Sequence, residues 1–323
     1  MRALVTGAAG FIGSHLAEHL HTTAWDVRGV DCFSDYYDVT QKWSNIAGIR
    51  GIKSFECLDV DLGSCDLRPL LEGVDVVFHQ AGRPGVRSSW GDFDSYVAAN
   101  VMVTHRLLEA ARSTPSLTRF VLASSSSVYG NALSYPTRED TVPMPHSPYG
   151  VTKLAAEHLC AAYARNWGVP TVMLRYFTVF GPRQRPDMAM YRLVEAALFG
   201  GRFPMYGTGE QIRDFTYVGD VVTANIAAAT TDVQPGTAVN IAGGGACTLA
   251  RVIEIVEGLT GGRIAVDRQP CQAGDVEHTG GAVELARDLL GWTPRVSIEE
   301  GLERQVRWHL ARVMSALPLP RCS

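Results

Sequence analysis

A glycine-rich turn near the amino terminus limits the folds that this chain can adopt. Gly7, Gly10 and Gly13 directly follow a short apolar run at residues 3–5 and open a segment with a helical pattern. Glycine lets the backbone turn tightly and lets other groups approach it closely. A strand, a glycine turn and a helix in this order are typical of a βαβ unit whose helix N-terminus points at a phosphate group.

Short apolar runs alternate with helical segments through the first part of the chain. We predict strands at residues 3–5, 27–31, 54–59, 74–80, 119–124 and 171–177. We predict helices at residues 13–21, 95–113 and 149–167. This alternation favours a parallel sheet with crossover helices, and apolar runs without polar interruption indicate strands buried on both faces. The predicted fold is therefore α/β, with a Rossmann-like, doubly wound parallel sheet.

The pattern changes after residue 177, where glycine, proline and aromatic residues become more frequent. We therefore expect residues 1–177 to form the Rossmann-like domain and residues 178–323 to form a smaller C-terminal α/β lobe. Residues 214–242 contain segments that we expect to return to the first domain, so this domain need not be one continuous stretch of chain.

Asp31 ends the second predicted strand, on the carboxyl side of the glycine turn. A carboxylate in this position can accept hydrogen bonds from both hydroxyls of an adenosine ribose, and it repels a 2′-phosphate. NAD is therefore favoured over NADP. Asp59 ends the third strand and is a candidate to receive the adenine amino group.

Tyr149 and Lys153 form the second informative motif. The chain has 29 basic residues, but only Lys42, Lys53 and Lys153 are lysine. A tyrosine and a lysine one helical turn apart lie on the same helix face. The compact ammonium of lysine can sit against a phenol and a ribose in a way that a broad guanidinium cannot copy. The alternative interpretation is a solvated pair on a helix surface.

With these motifs, the chain resembles the extended short-chain dehydrogenase/reductase family over essentially its full length. Further matches are Asn100, the segment Ser-Ser-Ser-Ser-Val-Tyr-Gly at 124–130 and the segment Arg-Asp-Phe-Thr-Tyr-Val-Gly-Asp at 213–220. The resemblance implies an enzyme that acts on a nucleotide sugar and keeps NAD bound through its cycle. It implies that residues 1–177 bind NAD and that residues 178–323 bind the nucleotide sugar.

The resemblance also implies roles for individual residues. Tyr149 would be the general base, Lys153 would hold the nicotinamide ribose and lower the pKa of the tyrosine, and Ser125 would share the sugar-hydroxyl proton. The expected NAD contacts are Gly7, Gly10, Phe11, Ile12, Gly13, Asp31, Asp59, Val60, Ala81, Asn100, Tyr149 and Lys153. The expected substrate contacts are Val86, Arg87, Ser125, Ser126, Ser127, Tyr149, Thr178, Arg185, Phe203, Met205, Arg213 and Asp275.

Three serines at positions 125–127 bear on the reaction type. Members of the family that begin by oxidising C4 of a sugar include 4-epimerases, 4,6-dehydratases and decarboxylases. Dehydratases resemble Thr-Asp-Glu at these positions and UDP-glucuronate decarboxylases resemble Thr-Ser-Glu. Neither carboxyl group is present here, and epimerisation needs none. Decarboxylation, epimerisation of a UDP-hexose and a non-catalytic dinucleotide-sensing role remain the alternatives.

The segment Gly-Pro-Arg-Gln-Arg-Pro-Asp-Met at 181–188 is similar to that of UDP-glucuronate 4-epimerases, and so is the segment at 31–38. The resemblance implies conversion of UDP-glucuronate to UDP-galacturonate through a 4-keto intermediate. Arg185, with Thr178 and Ser127, would clamp the sugar carboxylate. The alternatives are an ion pair of Arg185 with Asp187, an ion pair of Arg213 with Asp214, and simple packing for Phe203 and Met205.

Composition excludes several other classes of protein. The net charge of −4 offers no basic surface for nucleic acid. No apolar run is long enough to span a bilayer, and no signal segment is visible. Seven cysteines argue against a disulfide framework, and no residue cluster has metal-ligand spacing. We expect a soluble, cytoplasmic protein without a metal, and a homodimer formed through helices 95–113 and 149–167, which resemble the dimer helices of relatives.

Overall fold

The computed structural model describes residues 1–243 and 245–316. Residue 244 and residues 317–323, where the second expected lobe ends, lie outside the described part. The strands are β1 (Arg2–Thr6), β2 (Asp26–Asp31), β3 (Phe55–Asp59), β4 (Val76–His79), β5 (Arg119–Ser125), β6 (Thr171–Tyr176), β7 (Thr178–Phe180), β8 (Arg202–Tyr206), β9 (Ile212–Tyr217), β10 (Thr237–Ile241), β11 (Ala246–Thr248) and β12 (Ala265–Gln269).

Eleven α-helices lie between and after these strands in the part of the chain that the structure describes. They are α1 (Phe11–Thr22), α2 (Val39–Ile46), α3 (Arg68–Leu71), α4 (Phe93–Tyr96), α5 (Val103–Arg112), α6 (Pro148–Trp167), α7 (Ala189–Phe199), α8 (Val218–Thr230), α9 (Leu249–Thr260), α10 (Glu284–Leu290) and α11 (Ile298–Ala316). Within residues 1–243 and 245–316, no helix combines the length and apolar character needed to cross a membrane.

Seven parallel strands form the large sheet, in the order β3-β2-β1-β4-β5-β6-β10. The strand order reverses direction between β1 and β4, and such a switch point opens a crevice at the carboxyl ends of the strands. The prediction of a Rossmann-like, doubly wound parallel sheet is confirmed. The six runs predicted as strands all contribute to this sheet, and β10 adds a seventh strand at its edge.

Alternating side chains explain why the strands read as continuous apolar runs. Ala3 and Val5 of β1 belong to one buried cluster, whereas Leu4 belongs to a second cluster on the opposite face. The first cluster includes Leu16 of α1, and the second includes Leu107 of α5. Because helices cover both faces of the sheet, every position of β4, β5 and β6 is buried.

Two smaller sheets lie beyond the large one. β11, β9 and β7 form a three-stranded sheet, and β12 pairs with β8. Strand β9 lies outside the large sheet, and α8, which follows it, packs against β5 and β6 of that sheet. The first buried cluster continues from β1 through α8 into α7, α9 and α11, so the two parts of the chain share one core.

The helical segment expected at residues 95–113 is not a uniform α-helix. It begins as α4, widens into a π-helix at Val97–Met102 and continues as α5. Such wide turns are uncommon inside helices and are often found near functional sites. Asn100 lies in the wide segment and is buried.

A buried ion pair ties helix α6 to the large sheet. Glu157 of α6 accepts hydrogen bonds from the Nε and Nη2 atoms of Arg175 on β6, with the closest contact at 2.7 Å. Ser124 at the end of β5 also donates to the Glu157 carboxylate, and the Nη1 atom of Arg175 donates to the hydroxyl of Tyr129. Both charged side chains are less than a tenth exposed. Removing either partner leaves an uncompensated charge in the core.

We therefore expect Glu157→Gln to lower the free energy of unfolding by about 3 kcal/mol or more, because the substitution leaves the Arg175 guanidinium buried without a counter-charge. Glu254→Gln is the matched control, since its pair with Arg251 on α9 is exposed and contributes about 1 kcal/mol or less. Urea denaturation of both variants at equal protein concentration measures the difference. Equal losses in the two variants would contradict the role of the buried pair.

Candidate active site

The glycine turn brings β1, α1 and the loop after β4 into direct backbone contact. Gly7 has a φ of +68°, and a Cβ atom there would lie 2.9 Å from the amide nitrogen of Ala81. A Cβ atom at Gly13 would lie 2.0 Å from the carbonyl oxygen of Gly7. Neither position accepts a side chain without a backbone shift.

The N-terminus of α1 is left open toward this turn. Gly10 is its N-cap residue, no side chain caps the first turn, and that turn contains no acidic residue. The free N–H groups and the positive end of the helix dipole therefore favour an anion at this place.

One cavity of about 500 Å³ extends from this helix end along the carboxyl edge of the large sheet. Many of the residues expected at the site line it: Gly7, Gly10, Phe11, Ile12, Gly13, Asp31, Val60, Ala81, Tyr149, Lys153 and Arg185. The expected residues that are not part of its lining are Asp59, Val86, Arg87, Asn100, Ser125, Ser126, Ser127, Thr178, Phe203, Met205, Arg213 and Asp275.

Asp31 is held firmly at one end of the cavity. Its carboxylate accepts from the N–H of Phe33 at 2.9 Å and from the N–H of Ala9 at 3.2 Å. The Nζ atom of Lys42 lies 3.5 Å from the same carboxylate, and both side chains are buried. Asp59 pairs with Asp31 in the β2–β3 register, but its side chain is exposed.

Lys42 is a cavity residue that the sequence analysis did not assign. Its ammonium also donates to the hydroxyl of Ser34 at 3.2 Å. Lysine is rare in this chain, and this rarity, which drew attention to Lys153, could also have identified Lys42.

Asn100 positions the loop that follows β4. Its side-chain oxygen accepts from the N–H of Arg83 at 2.7 Å, and its amide donates to the carbonyl of Arg83 at 3.1 Å. The same amide donates to the hydroxyl of Thr152 on α6 at 3.0 Å. Asn100 does not line the cavity, and it holds the loop after β4 against α6.

The start of α6 carries the tyrosine and lysine into the site. The hydroxyl of Ser147 accepts from the N–H of Gly150 at 3.1 Å, and Pro148 occupies the first turn, so the helix start is well defined. A Cβ atom at Gly150 would lie 2.5 Å from the carbonyl oxygen of Ser127. This close approach brings Tyr149 beside the run of serines at the end of β5.

Burial shifts the pKa of both groups of the pair. It raises the pKa of Tyr149, whereas a hydrogen bond with Ser125 and the positive charge of Arg185 lower it. Burial also lowers the pKa of Lys153 to about 8. The lysine ammonium donates to the carbonyl oxygen of Ala123 at 2.9 Å. The resemblance assigned the lowering of the tyrosine pKa to Lys153, whereas the groups that lower it in the structure are Ser125 and Arg185.

Arg185 has two partners at the other side of the cavity. Its Nε and Nη2 atoms donate to the carboxylate of Asp187, each at 3.0 Å. Its guanidinium also lies 5.9 Å from the centre of the Tyr36 ring. The ion pair with Asp187 is therefore present, and the arginine nevertheless faces the space beside Tyr149. Thr178, the first residue of β7, is partly exposed.

A second group of expected substrate residues lies outside the cavity lining. Arg87 forms an ion pair with Asp275 at 2.8 Å and stacks over the ring of Tyr206 at 3.8 Å. Arg213 donates to the carbonyl oxygens of residues 212, 276 and 277, and it does not pair with Asp214, which accepts from two glycine N–H groups. Burial lowers the pKa of Arg213, and the nearby Asp275 raises it.

Several other expected contacts have a different environment. Phe203 and Met205 of β8 are buried in the first apolar cluster, so packing accounts for both side chains. Gly274 lies close to Val86, because a Cβ atom there would be 3.0 Å from its side chain. In the described ranges, no group of three or more His, Cys, Asp or Glu side chains could hold a metal ion.

These residues fit NAD. The uncapped helix end suits a diphosphate, the crowded glycine turn lets that group approach the backbone, and Asp31 suits a ribose diol. The cavity continues from this end to Tyr149 and Lys153, where a nicotinamide ring would meet a substrate.

Two sequence relatives and one solved structure cover nearly the whole chain. The uncharacterized UDP-glucose epimerase YtcB of Bacillus subtilis (strain 168) is 42% identical over 310 residues, or 95% of this chain and 98% of the relative. The UDP-glucuronate 4-epimerase of Thermodesulfobacterium geofontis (strain OPF15) is 36% identical over 312 residues, or 94% of this chain and 95% of the relative.

The solved structure is the UDP-glucuronic acid 4-epimerase of Bacillus cereus in complex with UDP-glucuronic acid and NAD. It has a TM-score of 0.93 and 42% identity, and the match covers 97% of this chain and 100% of that chain. The sequence model of the NAD dependent epimerase/dehydratase family matches residues 3–242. This region holds the glycine turn, the Tyr149–Lys153 pair and the cavity between them, and the chain belongs to the NAD dependent epimerase/dehydratase family.

Proposed function

We propose that this protein is an NAD-dependent UDP-glucuronate 4-epimerase, which forms UDP-galacturonate through a transient 4-keto sugar. One observation carries the choice of substrate: the guanidinium of Arg185 lines the same cavity as Tyr149 and lowers its pKa. A uronic acid places a carboxylate two carbons from C4, so a buried cation beside the base suits it. The names of two of the similar proteins above support the same substrate.

The chain's own residues would divide the chemistry as follows. NAD, when bound, would supply the hydride acceptor and donor for C4 of the sugar. Tyr149 would take the C4 hydroxyl proton, and Ser125, its hydrogen-bond partner, would share that proton. Lys153 would keep a positive charge beside the ribose, held by the carbonyl of Ala123.

The clamp on the carboxylate would have a second task. After C4 becomes a ketone the sugar is a β-keto acid, which loses carbon dioxide most readily when the carboxylate bond stands perpendicular to the carbonyl plane. Arg185, with Thr178 and Ser127, would hold the carboxylate away from that angle.

Positions 125–127 carry no carboxyl group, so the acid–base pair of a dehydratase is missing.

We also propose that residues 1–177 bind the cofactor, that residues 178–323 bind the nucleotide sugar, and that the protein is a cytoplasmic homodimer. Support for the dimer comes from large apolar side chains that are about half exposed on the expected interface helices, namely Met102, Val151 and Trp167.

Epimerisation of a UDP-hexose is the second candidate, because the similar protein from Bacillus subtilis is named a UDP-glucose epimerase. Incubation of the purified protein with UDP-glucuronate and, separately, with UDP-glucose separates the possibilities by NMR of the products. UDP-galacturonate supports our proposal, UDP-galactose alone supports the second candidate, and a UDP-pentose shows a decarboxylase. Bound NAD with no turnover would indicate a regulator.

Replacing Arg185 should reduce turnover of UDP-glucuronate more than turnover of UDP-glucose. We expect Arg185→Ala to lower kcat/KM for UDP-glucuronate by about 10- to 100-fold, because hydrogen bonds to a charged group contribute about 1.5–3 kcal/mol. The UDP-pentose fraction of the product should rise in this variant. Asp187→Asn is the control, since it removes the ion pair and leaves the cation in place. Unchanged kinetics and product ratio in Arg185→Ala would rule out the clamp.

The pH profile gives a separate test of Arg185. Tyr149 acts as a base only when deprotonated, so activity should rise with pH up to the tyrosine pKa. Arg185 lowers that pKa, and its removal should therefore move the ascending limb of the kcat profile to higher pH. Arg307→Ala, a substitution of an exposed arginine on α11, should leave the limb in place. A shift to lower pH in Arg185→Ala would contradict the assignment.

A further inference from the structure

We propose that Arg83 binds the diphosphate of NAD from the side opposite to the N-terminus of α1. No motif marks this residue, which lies in the loop after β4. Its side chain lines the same cavity as the first turn of α1. The proposal concerns retention of the cofactor and holds for whichever sugar the enzyme takes.

The backbone of Arg83 is fixed close to the glycine turn. Ala81, two residues earlier, approaches Gly7 so closely that a Cβ atom on the glycine would lie 2.9 Å from the Ala81 amide nitrogen. The N–H and the carbonyl of Arg83 are both hydrogen-bonded to the side chain of Asn100, at 2.7 and 3.1 Å. The loop therefore presents the arginine at a defined distance from the helix end.

The charge balance of the cavity favours a further cation near the diphosphate. A diphosphate carries two negative charges, whereas a helix N-terminus supplies about half a positive charge. Among the residues that the structure describes, four cationic side chains line the cavity: Lys42, Arg83, Lys153 and Arg185. Their partners decide which of them is free to serve the diphosphate.

Three of these cations are engaged elsewhere. Lys42 is buried against Asp31 at the ribose end. Arg185 makes a two-point contact with its aspartate beside Tyr149, and Lys153 donates to a backbone carbonyl on β5. Arg83 is held differently, because its Nη2 atom meets Asp92 at 2.7 Å in a pair whose two side chains are 38% and 43% exposed.

An exposed pair of this kind contributes little to stability, so the guanidinium can turn toward a stronger anion. The Nε atom of Arg83 is buried and has no hydrogen-bond partner. A planar guanidinium with a free donor matches the oxygens of a diphosphate and can bind two of them at once. The rings of Tyr36 and Tyr96 lie 5.8 and 5.7 Å from the guanidinium and flank it.

The first measurement is the amount of NAD that copurifies with Arg83→Gln, released by denaturation and quantified by chromatography. The second is the affinity of the NAD-stripped protein for ADP-ribose and for adenosine, measured by calorimetry. We expect Arg83→Gln to bind ADP-ribose about 10- to 100-fold more weakly and to bind adenosine unchanged, because only ADP-ribose carries the diphosphate.

Two control variants separate binding from support of the fold. Asp92→Asn keeps an acceptor for the hydroxyl of Ser95 and releases Arg83 from its ion pair, so ADP-ribose affinity should stay the same or rise. Arg307→Gln removes the same charge from exposed surface on α11 and should change neither affinity. Arg83→Lys, which keeps a cation, should lie between the wild type and Arg83→Gln.

Three results would overturn the proposal. They are unchanged ADP-ribose affinity in Arg83→Gln, an equal loss of adenosine affinity in that variant, and a loss in Asp92→Asn that matches the loss in Arg83→Gln. If Arg83→Gln does not fold, the comparison of Arg83→Lys with Asp92→Asn decides: weaker ADP-ribose binding in the lysine variant alone supports the contact, and equal behaviour of the two rejects it.

Discussion

Close backbone contact at the glycine turn is the constraint on which the rest of the site depends. Gly7 meets the loop after β4, and Gly13 meets the carbonyl of Gly7, at distances that leave no room for a Cβ atom. This contact joins β1, α1 and the β4 loop at the point where the strand order reverses. The open end of α1, Asp31 and the tyrosine helix consequently border one continuous cavity.

Burial then sets the electrostatics of that cavity. It works against the reactive form of both catalytic candidates, because it raises the pKa of the Tyr149 phenol and lowers that of the Lys153 ammonium. Arg185 and Ser125 act in the opposite direction on the tyrosine. The pKa of Tyr149 therefore depends on the charge of the bound substrate. A sugar carboxylate beside Arg185 would offset the positive charge that lowers this pKa, so the substrate and the basicity of Tyr149 are physically linked.

Much of the fold could be predicted from local patterns, because burial on both faces makes the central strands β1, β4 and β5 largely apolar. The glycine turn, Asp31 and the tyrosine–lysine pair are also local, and a single element carries each of them. Lys42 and Arg83 were not predicted. Their significance arises from contacts with other elements, with Asp31 for the lysine and with Asn100 for the arginine. Phe203 and Met205 were expected at the substrate, and the structure shows that both are buried in the first apolar cluster.

The sequence alone determined six strands of the large sheet, the family resemblance and the identity of the groups that can do chemistry. Tertiary structure alone decided which of those groups meet. It paired Arg87 with Asp275, gave Arg213 backbone partners in place of Asp214, and left Arg83 with an exposed partner at the mouth of the cavity. The physical reason is that periodicity records which face of an element is buried. The partner of a charged side chain depends on distances between elements, and those are set only when the elements pack.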